Sequence, residues 1–343
     1  VRLLVLGGTW FVGRAVAEAA VGRGHEVTCF NRGRSGTDVD GVETVRGDRT
    51  VADDVVRLAG AGAWDAVVDT GAYEPSDLGL SATVLREQVD RYLMVSTVSA
   101  YRDWPALPTN EESALWPGRV DARGTDPDIA EMDGAFAYGT LKASCELVIR
   151  EQLGERTLIL RPGVVLGPYE YVGRLQALLG RAAKGGRMLV AGDPRRAIQP
   201  VDVRDLAAFM LDLLERRAGG VFNAVAPSGH ATYGELIEAC VAATAASTAT
   251  TWVEPAWLAK RDVKEWTELP LWRTAPGTWA VDGQRAATAG LVCRPLAETV
   301  TDTWAWLQTE RPVDNPRAGE HGLDPEREAR LLAEWDAELA ARG

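Results

Sequence analysis

Apolar residues in the first half of the chain fall into short runs separated by stretches of helical period. Arg2–Leu6 is an apolar run ending in glycines, and Val12 to Arg23 follows with helical spacing and is closed by Gly24. Glu26–Phe30 is β-branched and aromatic enough for a second strand, Val42–Arg46 reads as a third, and Val51–Ala59 as a helix. Trp64–Asp69 is a fourth strand, and a helix near Asp77–Gln88 leads into a fifth, Arg91–Ser96. Strands alternating with helices at this spacing form βαβ units, because parallel neighbours need a crossover. The pattern predicts an α/β fold built on a doubly wound parallel sheet.

The pattern breaks from Arg102 to Gly134, a stretch rich in Pro, Asp, Glu and Gly that carries Trp104 and Trp116. Structureless segments of this length are uncommon inside a domain, so 102–134 reads as a functional insertion, a mobile lid. Regularity resumes with a helix over Tyr138–Leu153 and a strand at Thr157–Leu160. Further on, Leu175–Lys184 and Asp205–Arg216 read as helices, Met188–Val190 as a strand, and Ile198–Val203 as extended. Gly220–Ala224 should return to the main sheet. Pro325–Ala341 reads as a charged helix after a Pro/Gly/Asn linker. The expected division is a first domain over residues 1–167, with elements near 198–224 returning to it, and a smaller, mainly substrate-binding part over 168–343.

Charge narrows the partners. The 343 residues carry a formal net charge of -12, and an acidic surface repels phosphate backbones, which argues against nucleic acid. No apolar run approaches the roughly 20 residues that cross a bilayer, and the opening VRLLVLGG has no signal-peptide layout. The expectation is a cytoplasmic protein with no membrane partner, acting as a monomer or homodimer. Cys29, Cys145, Cys240 and Cys293, like His25, His230 and His321, have no metal-ligand spacing, so no metal is expected.

Two segments carry chemistry. Gly7-Gly8-Thr9-Trp10-Phe11-Val12-Gly13 joins the first strand to the first helix. Glycines there let the backbone turn tightly and approach a pyrophosphate, which meets the helix's free amides and positive end. The end of the second strand, Phe30-Asn31-Arg32-Gly33-Arg34, lacks the carboxylate that would hold an NAD ribose. It offers a neutral Asn31 followed by Arg32 and Arg34, which suit a 2′-phosphate and favour NADPH over NAD. The second segment is Tyr138-Gly139-Thr140-Leu141-Lys142, a phenol and an ammonium one helical turn apart on the same face. A phenol is a poor acid at neutral pH unless a neighbouring cation stabilises its phenolate. The preceding strand ends in Ser96-Thr97-Val98-Ser99-Ala100-Tyr101, hydroxyls placed where open α/β sheets bind ligands.

A glycine-rich first turn, a Ser/Thr-rich strand end closed by an aromatic, and Tyr-x-x-x-Lys together resemble the extended short-chain dehydrogenase/reductases, and most nearly an atypical, reductase-like branch of the NAD-dependent epimerase/dehydratase family. Leu160-Arg161-Pro162-Gly163-Val164 and Gln199-Pro200-Val201-Asp202 are similar to further segments of that family, so the resemblance spans roughly residues 1–310. Trp10 departs from it, standing where the family has its middle glycine. The resemblance implies a Rossmann-type sheet with Thr97, Tyr138 and Lys142 as catalytic residues, Ser96 and Ser99 being rivals to Thr97. It implies a cofactor site made by Gly7, Thr9, Trp10, Phe11, Val12, Gly13, Asn31, Arg32, Arg34, Asp48, Arg49, Thr70, Gly71, Ala72, Lys142, Pro162, Gly163 and Val164. Asp48 would face the adenine, and the Pro162–Val164 backbone the nicotinamide.

Three functions fit. The first is an NADPH-dependent ketoreductase acting on a small-molecule carbonyl. The second is a nucleotide-sugar epimerase or dehydratase with tightly held NAD(P), although Val98 and Ser99 stand where a dehydratase needs an acid. The third is a non-catalytic NADP-sensing or RNA-binding protein on the same fold. The 12 tryptophans include Trp252, Trp257, Trp266, Trp272 and Trp279 in the later part of the chain. They serve either packing or a flat, apolar substrate.

Overall fold

β1 (Arg2–Leu6) buries every residue after Arg2, as a central parallel strand covered on both faces must. It pairs in parallel with β2 (Glu26–Asn31) on one side and β4 (Trp64–Asp69) on the other. β2 pairs outward with β3 (Glu43–Arg46); β4 pairs with β5 (Val89–Val95), β5 with β6 (Thr157–Pro162), and β6 with the strand Gly220–Ala224. The seven strands therefore run Gly220–Ala224, β6, β5, β4, β1, β2, β3. This is the Rossmann-type doubly wound sheet that the alternating pattern predicts. The order reverses at β1, opening a crevice at the carboxyl ends of β1 and β4, the ligand-binding position of such sheets.

The computed structural model describes residues 1–310 and 315–342 and divides into two units. The first comprises Val1–Val165, Pro200–Pro227 and Pro276–Cys293. Its helices are α1 (Phe11–Gly22), α2 (Ala52–Ala59), α3 (Pro75–Leu85), the short α4 (Pro127–Ala130), α5 (Gly134–Leu153), Val203–Glu215 and Gln284–Thr288. α1 packs with Val203–Glu215, and α3 with α5. The second unit is Leu166–Gln199, Ser228–Ala275 and Arg294–Gly343. In it Gly186–Ala191 pairs in parallel with Thr248–Val253, and the helix Pro325–Arg342 closes the chain. Part of the linker before that helix lies outside the described residues. No helix among the described residues is long and apolar enough to cross a membrane.

The differences from the pattern have local causes. α5 begins at Gly134, four residues before Tyr138, because Asp133 caps it by accepting the Ala135 amide. β5 starts at Val89 although Asp90 and Arg91 are polar, since the ladder to β4 already pairs Trp64 with Val89. The 102–134 segment is tied down along its length. Trp116 donates its amide to the Ala100 carbonyl, and Gly124 donates to the Glu74 carboxylate at 3.1 Å. Gly118 lies so near α5 that a Cβ would come 3.1 Å from the Ser144 Cα. Leu107 and Thr109 reach Pro276–Cys293, which thereby joins the first unit, whereas the sequence pattern places it with the later part. Thr109 bridges to Val281, and a Cβ on Gly277 would meet the Leu107 carbonyl at 2.0 Å.

One buried polar cluster ties these elements together. Arg161 on β6 donates Nε to Glu146 Oε1 at 2.8 Å and a terminal nitrogen to Oε2 at 2.6 Å. Ser96, just past β5, donates to the same carboxylate at 2.6 Å. Arg161 also donates to the Tyr101 hydroxyl at 2.9 Å, which in turn donates to Asn223 at 2.7 Å. Arg161 and Glu146 are each 1% exposed, so the pair survives only because its hydrogen-bonding groups are met. Arg161→Met should leave buried Glu146 with only the Ser96 hydroxyl and the longer 3.4 Å contact to partly exposed Arg150, costing about 3–5 kcal/mol. Arg161→Met combined with Glu146→Leu should recover most of that loss. Urea midpoints for both variants check this; a single variant within about 1 kcal/mol of the parent contradicts it.

Candidate active site

Four residues separate β1 from α1, and each makes a different demand. Gly7 and Gly8 have φ of 118° and 98°, a region that favours glycine. The space is equally restrictive: a Cβ on Gly7 would lie 2.6 Å from the Thr70 hydroxyl, and one on Gly13 would lie 2.7 Å from the Gly8 nitrogen. Trp10 has φ −138° and ψ 136°, ordinary extended backbone, so the missing middle glycine imposes no strain there. The unusual conformation falls on buried Phe11 instead, at φ 37°. No side chain caps α1, and its first turn holds no acid. The helix thus starts at the crevice with its positive end and no acid in its first turn, a fit for a pyrophosphate. Thr9 is buried beside this turn, and Val12 follows in the first turn of α1.

At the end of β2, Asn31 is buried, and its side-chain oxygen accepts the Gly33 amide at 2.9 Å and a short contact from Arg46. Its side-chain nitrogen is buried without a hydrogen-bond partner, an exception that asks for a ligand acceptor. Arg46, on β3, also pairs with Asp38. Arg32 and Arg34 are exposed, and Arg32 approaches Asp48 at 3.8 Å. Hydrogen bonds from the Thr50 amide and hydroxyl, with the charges of Arg32 and Arg34, hold the Asp48 carboxyl below the ordinary range. The loop after β2 also folds onto the glycine turn: Arg14 donates to the Thr37 carbonyl at 3.1 Å, and a Cβ on Gly36 would lie 2.8 Å from the Thr9 carbonyl.

Arg49 has a different setting from the one its neighbours suggest. Its guanidinium binds both oxygens of fully buried Asp69, at 2.6 and 2.8 Å. Tyr92 donates its hydroxyl to Asp69 at 2.7 Å, and Gly71 donates its amide at 3.0 Å. Burial alone would raise the Asp69 pKa; the Arg49 charge and these hydrogen bonds outweigh it and hold the carboxyl low. Thr70 turns its hydroxyl to the Leu6 carbonyl at 3.1 Å. Ala72 offers its carbonyl to Lys142. Beyond β6, Gly163 donates to the Ala224 carbonyl and the Val164 carbonyl accepts Val201, while Pro162 ends β6 opposite Ala224.

Tyr138 and Lys142 sit on the second and third turns of α5, which are pressed against the end of β5. At Gly139 the approach is so close that a Cβ would meet the Ser99 carbonyl at 2.1 Å. Lys142 is 2% exposed and donates to the carbonyls of Ala72 at 2.8 Å and Val95 at 2.5 Å. Burial pushes its pKa below the usual lysine value, with Asp69 and Glu146 among the groups pulling the other way. Tyr138 is 36% exposed. Thr97 caps the turn Val98–Ala100 by accepting the Ser99 amide at 3.1 Å, which leaves its own proton to donate. Ser96 spends its proton on Glu146, so of the three hydroxyls it is withdrawn into the buried cluster. The fold thus brings Thr97, Tyr138 and Lys142 to one strand end. Sequence reasoning missed the carbonyls of Ala72 and Val95, which carry no side-chain signal, and Arg46, which reaches Asn31 only through β2–β3 pairing.

The family model described as NAD dependent epimerase/dehydratase matches residues 3–224. The 2'-dehydrokanamycin reductase of Streptomyces kanamyceticus is 30% identical over 249 residues, 69% of this chain and 65% of that protein. The chloroplast stem-loop binding protein of 41 kDa b from Arabidopsis thaliana is 24% identical over 258 residues, 71% of this chain and 63% of that one. Both matches thus cover just under two thirds of the relative's length. The Bordetella bronchiseptica enzyme WbmH, solved in complex with NAD+, has a TM-score of 0.67 at 19% identity over 90% of this chain and 98% of its own, a likeness of fold. With its glycine turn, its Tyr–Lys helix and a family match over well over half its length, this chain belongs to the NAD-dependent epimerase/dehydratase family.

Proposed function

We propose that this chain is an NADPH-dependent ketoreductase of the short-chain dehydrogenase/reductase type that reduces a carbonyl on a small molecule. The observation that carries the reading is Lys142, a buried ammonium held by two backbone carbonyls one helical turn from half-exposed Tyr138. Such a cation stabilises the phenolate that remains when Tyr138 gives its proton to the substrate oxygen. Thr97 hydrogen-bonds the same oxygen as charge develops on it. When bound, NADPH supplies the hydride. The glycine turn Gly7–Gly13 would hold its pyrophosphate, Asn31, Arg32 and Arg34 its 2′-phosphate, and Lys142 its ribose. The similarity to a protein named as a reductase favours reduction over internal epimerisation, as does the lack of an acid beside Thr97 over dehydration. The stem-loop binding relative raises nucleic acid as a partner, but the net charge of -12 opposes it. The protein would then act in the cytoplasm, as a monomer or homodimer.

Tyr138→Phe keeps the ring and removes the acidic proton. Turnover of a reducible carbonyl should fall by roughly two to four orders of magnitude while NADPH affinity survives. Near-normal turnover would remove Tyr138 from its role. Lys142→Ala should lose rate and cofactor affinity together, because one side chain serves both.

Cofactor choice is checked by titration of the unmodified protein. NADPH should bind more tightly than NADH, and Arg32→Ala together with Arg34→Ala should erase most of the difference. Equal affinities before substitution contradict the 2′-phosphate site.

A further inference from the structure

The chain has 12 tryptophans, seven tyrosines and five phenylalanines, yet among the described residues the exposed ones are Tyr73, Phe136 and Tyr138. They are 48%, 44% and 36% exposed. The later tryptophans, which serve either packing or a flat substrate, include several engaged in packing: Trp257 stacks edge-on with Trp335 at 5.1 Å, Trp272 packs on Tyr233 at 5.3 Å, and Trp279 is buried. Exposed aromatic surface is unfavourable in water, and of these rings Tyr73 stands against both Tyr138 and Lys142.

Tyr73 lies between two pinned neighbours. The Ala72 carbonyl accepts Lys142, and the Glu74 carboxylate accepts Gly124. Its ring centre is 5.3 Å from the Lys142 ammonium and 6.3 Å from the Tyr138 ring, tilted 41° to it. Phe136 is set at the start of α5 by Trp116, with ring centres 5.4 Å apart. The lysine contact positions the Tyr73 ring at the acid without consuming a hydrogen bond.

Building on the reductase reading, we propose that Tyr73 selects the substrate, and that the substrate is an aryl or conjugated ketone. Its flat ring lies on Tyr73 while its carbonyl meets Tyr138. The carbonyl carbon gains the hydride that NADPH gives up on becoming NADP+, the oxygen gains the Tyr138 proton, and the C=O π bond becomes a secondary alcohol.

Acetophenone and methyl cyclohexyl ketone test this, since they carry the same carbonyl on a flat and a puckered ring. The unmodified protein should favour acetophenone by about five- to tenfold in kcat/KM, the worth of one aromatic contact. Tyr73→Leu should bring the ratio close to one, and Tyr73→Phe should preserve it. Saturation-transfer NMR in the presence of NADP+ should place the acetophenone ring protons, but not the cyclohexyl protons, in contact with the protein, and Tyr73→Leu should abolish that transfer. A ratio near one in the unmodified protein, or one unmoved by Tyr73→Leu, overturns the inference and leaves the reductase reading standing. Transfer that depends on Tyr73 with neither ketone turned over does the reverse. Absence of transfer overturns the inference.

Discussion

α5 can carry chemistry to the sheet only because it is allowed to touch it. At Gly139 the helix backbone meets the Ser99 carbonyl with no room for a Cβ, and one turn on, Lys142 reaches the carbonyls at the ends of β4 and β5. A turn further still, Glu146 accepts Arg161 and Ser96 from β6 and the end of β5. Contact, cation and ion pair recur at intervals of three and four residues, so they fall on one face of the helix. Displacing the helix by a side chain's width would break all three, and the positions of Thr97 and Tyr138 with them.

Buried charge is used in two ways around this seam. Asp69 and Arg49, like Glu146 and Arg161, are matched ion pairs whose spare lone pairs are met by Tyr92, Gly71 and Ser96. In each pair the partner's charge and these hydrogen bonds compensate for the lost water. Lys142 is different: the structure gives its ammonium neutral carbonyls and a tyrosine ring as direct partners, and leaves the nearest carboxylates to act through space. A lysine locked to a carboxylate would have its charge satisfied in advance. One held by carbonyls keeps charge to offer to a phenolate or a ribose hydroxyl.

The glycine turn shows how a motif can lose a residue and keep its geometry. Trp10 sits in extended backbone, where a side chain is tolerated, and the left-handed conformation falls on Phe11, whose ring is buried. Burial of that ring offsets a backbone conformation that a solvent-exposed phenylalanine would not hold. The amides that matter for an anion are those at the start of α1, and they belong to the backbone whichever residue stands at position 10.

The sequence by itself determined the sheet. Seven apolar runs spaced by helical stretches admit little besides a parallel, doubly wound arrangement, and Gly220–Ala224 could be assigned to its edge because it repeats the same run after a crossover helix. The Tyr138–Lys142 pair and the glycine turn were also legible, since their spacing is local and the periods of helix and turn convert spacing into geometry. Tertiary structure decided everything that depended on residues distant in the chain. It placed 276–293 with the first unit through Leu107 and Thr109, and committed Arg49 to Asp69 across twenty positions. It withdrew Ser96 from among the three hydroxyls and exposed Tyr73 while burying Trp257, Trp272 and Trp279. Side-chain type tells which groups need partners. Which partner each receives depends on the packing of the whole sheet, because a hydrogen bond or a ring contact is made only by atoms a few ångströms apart.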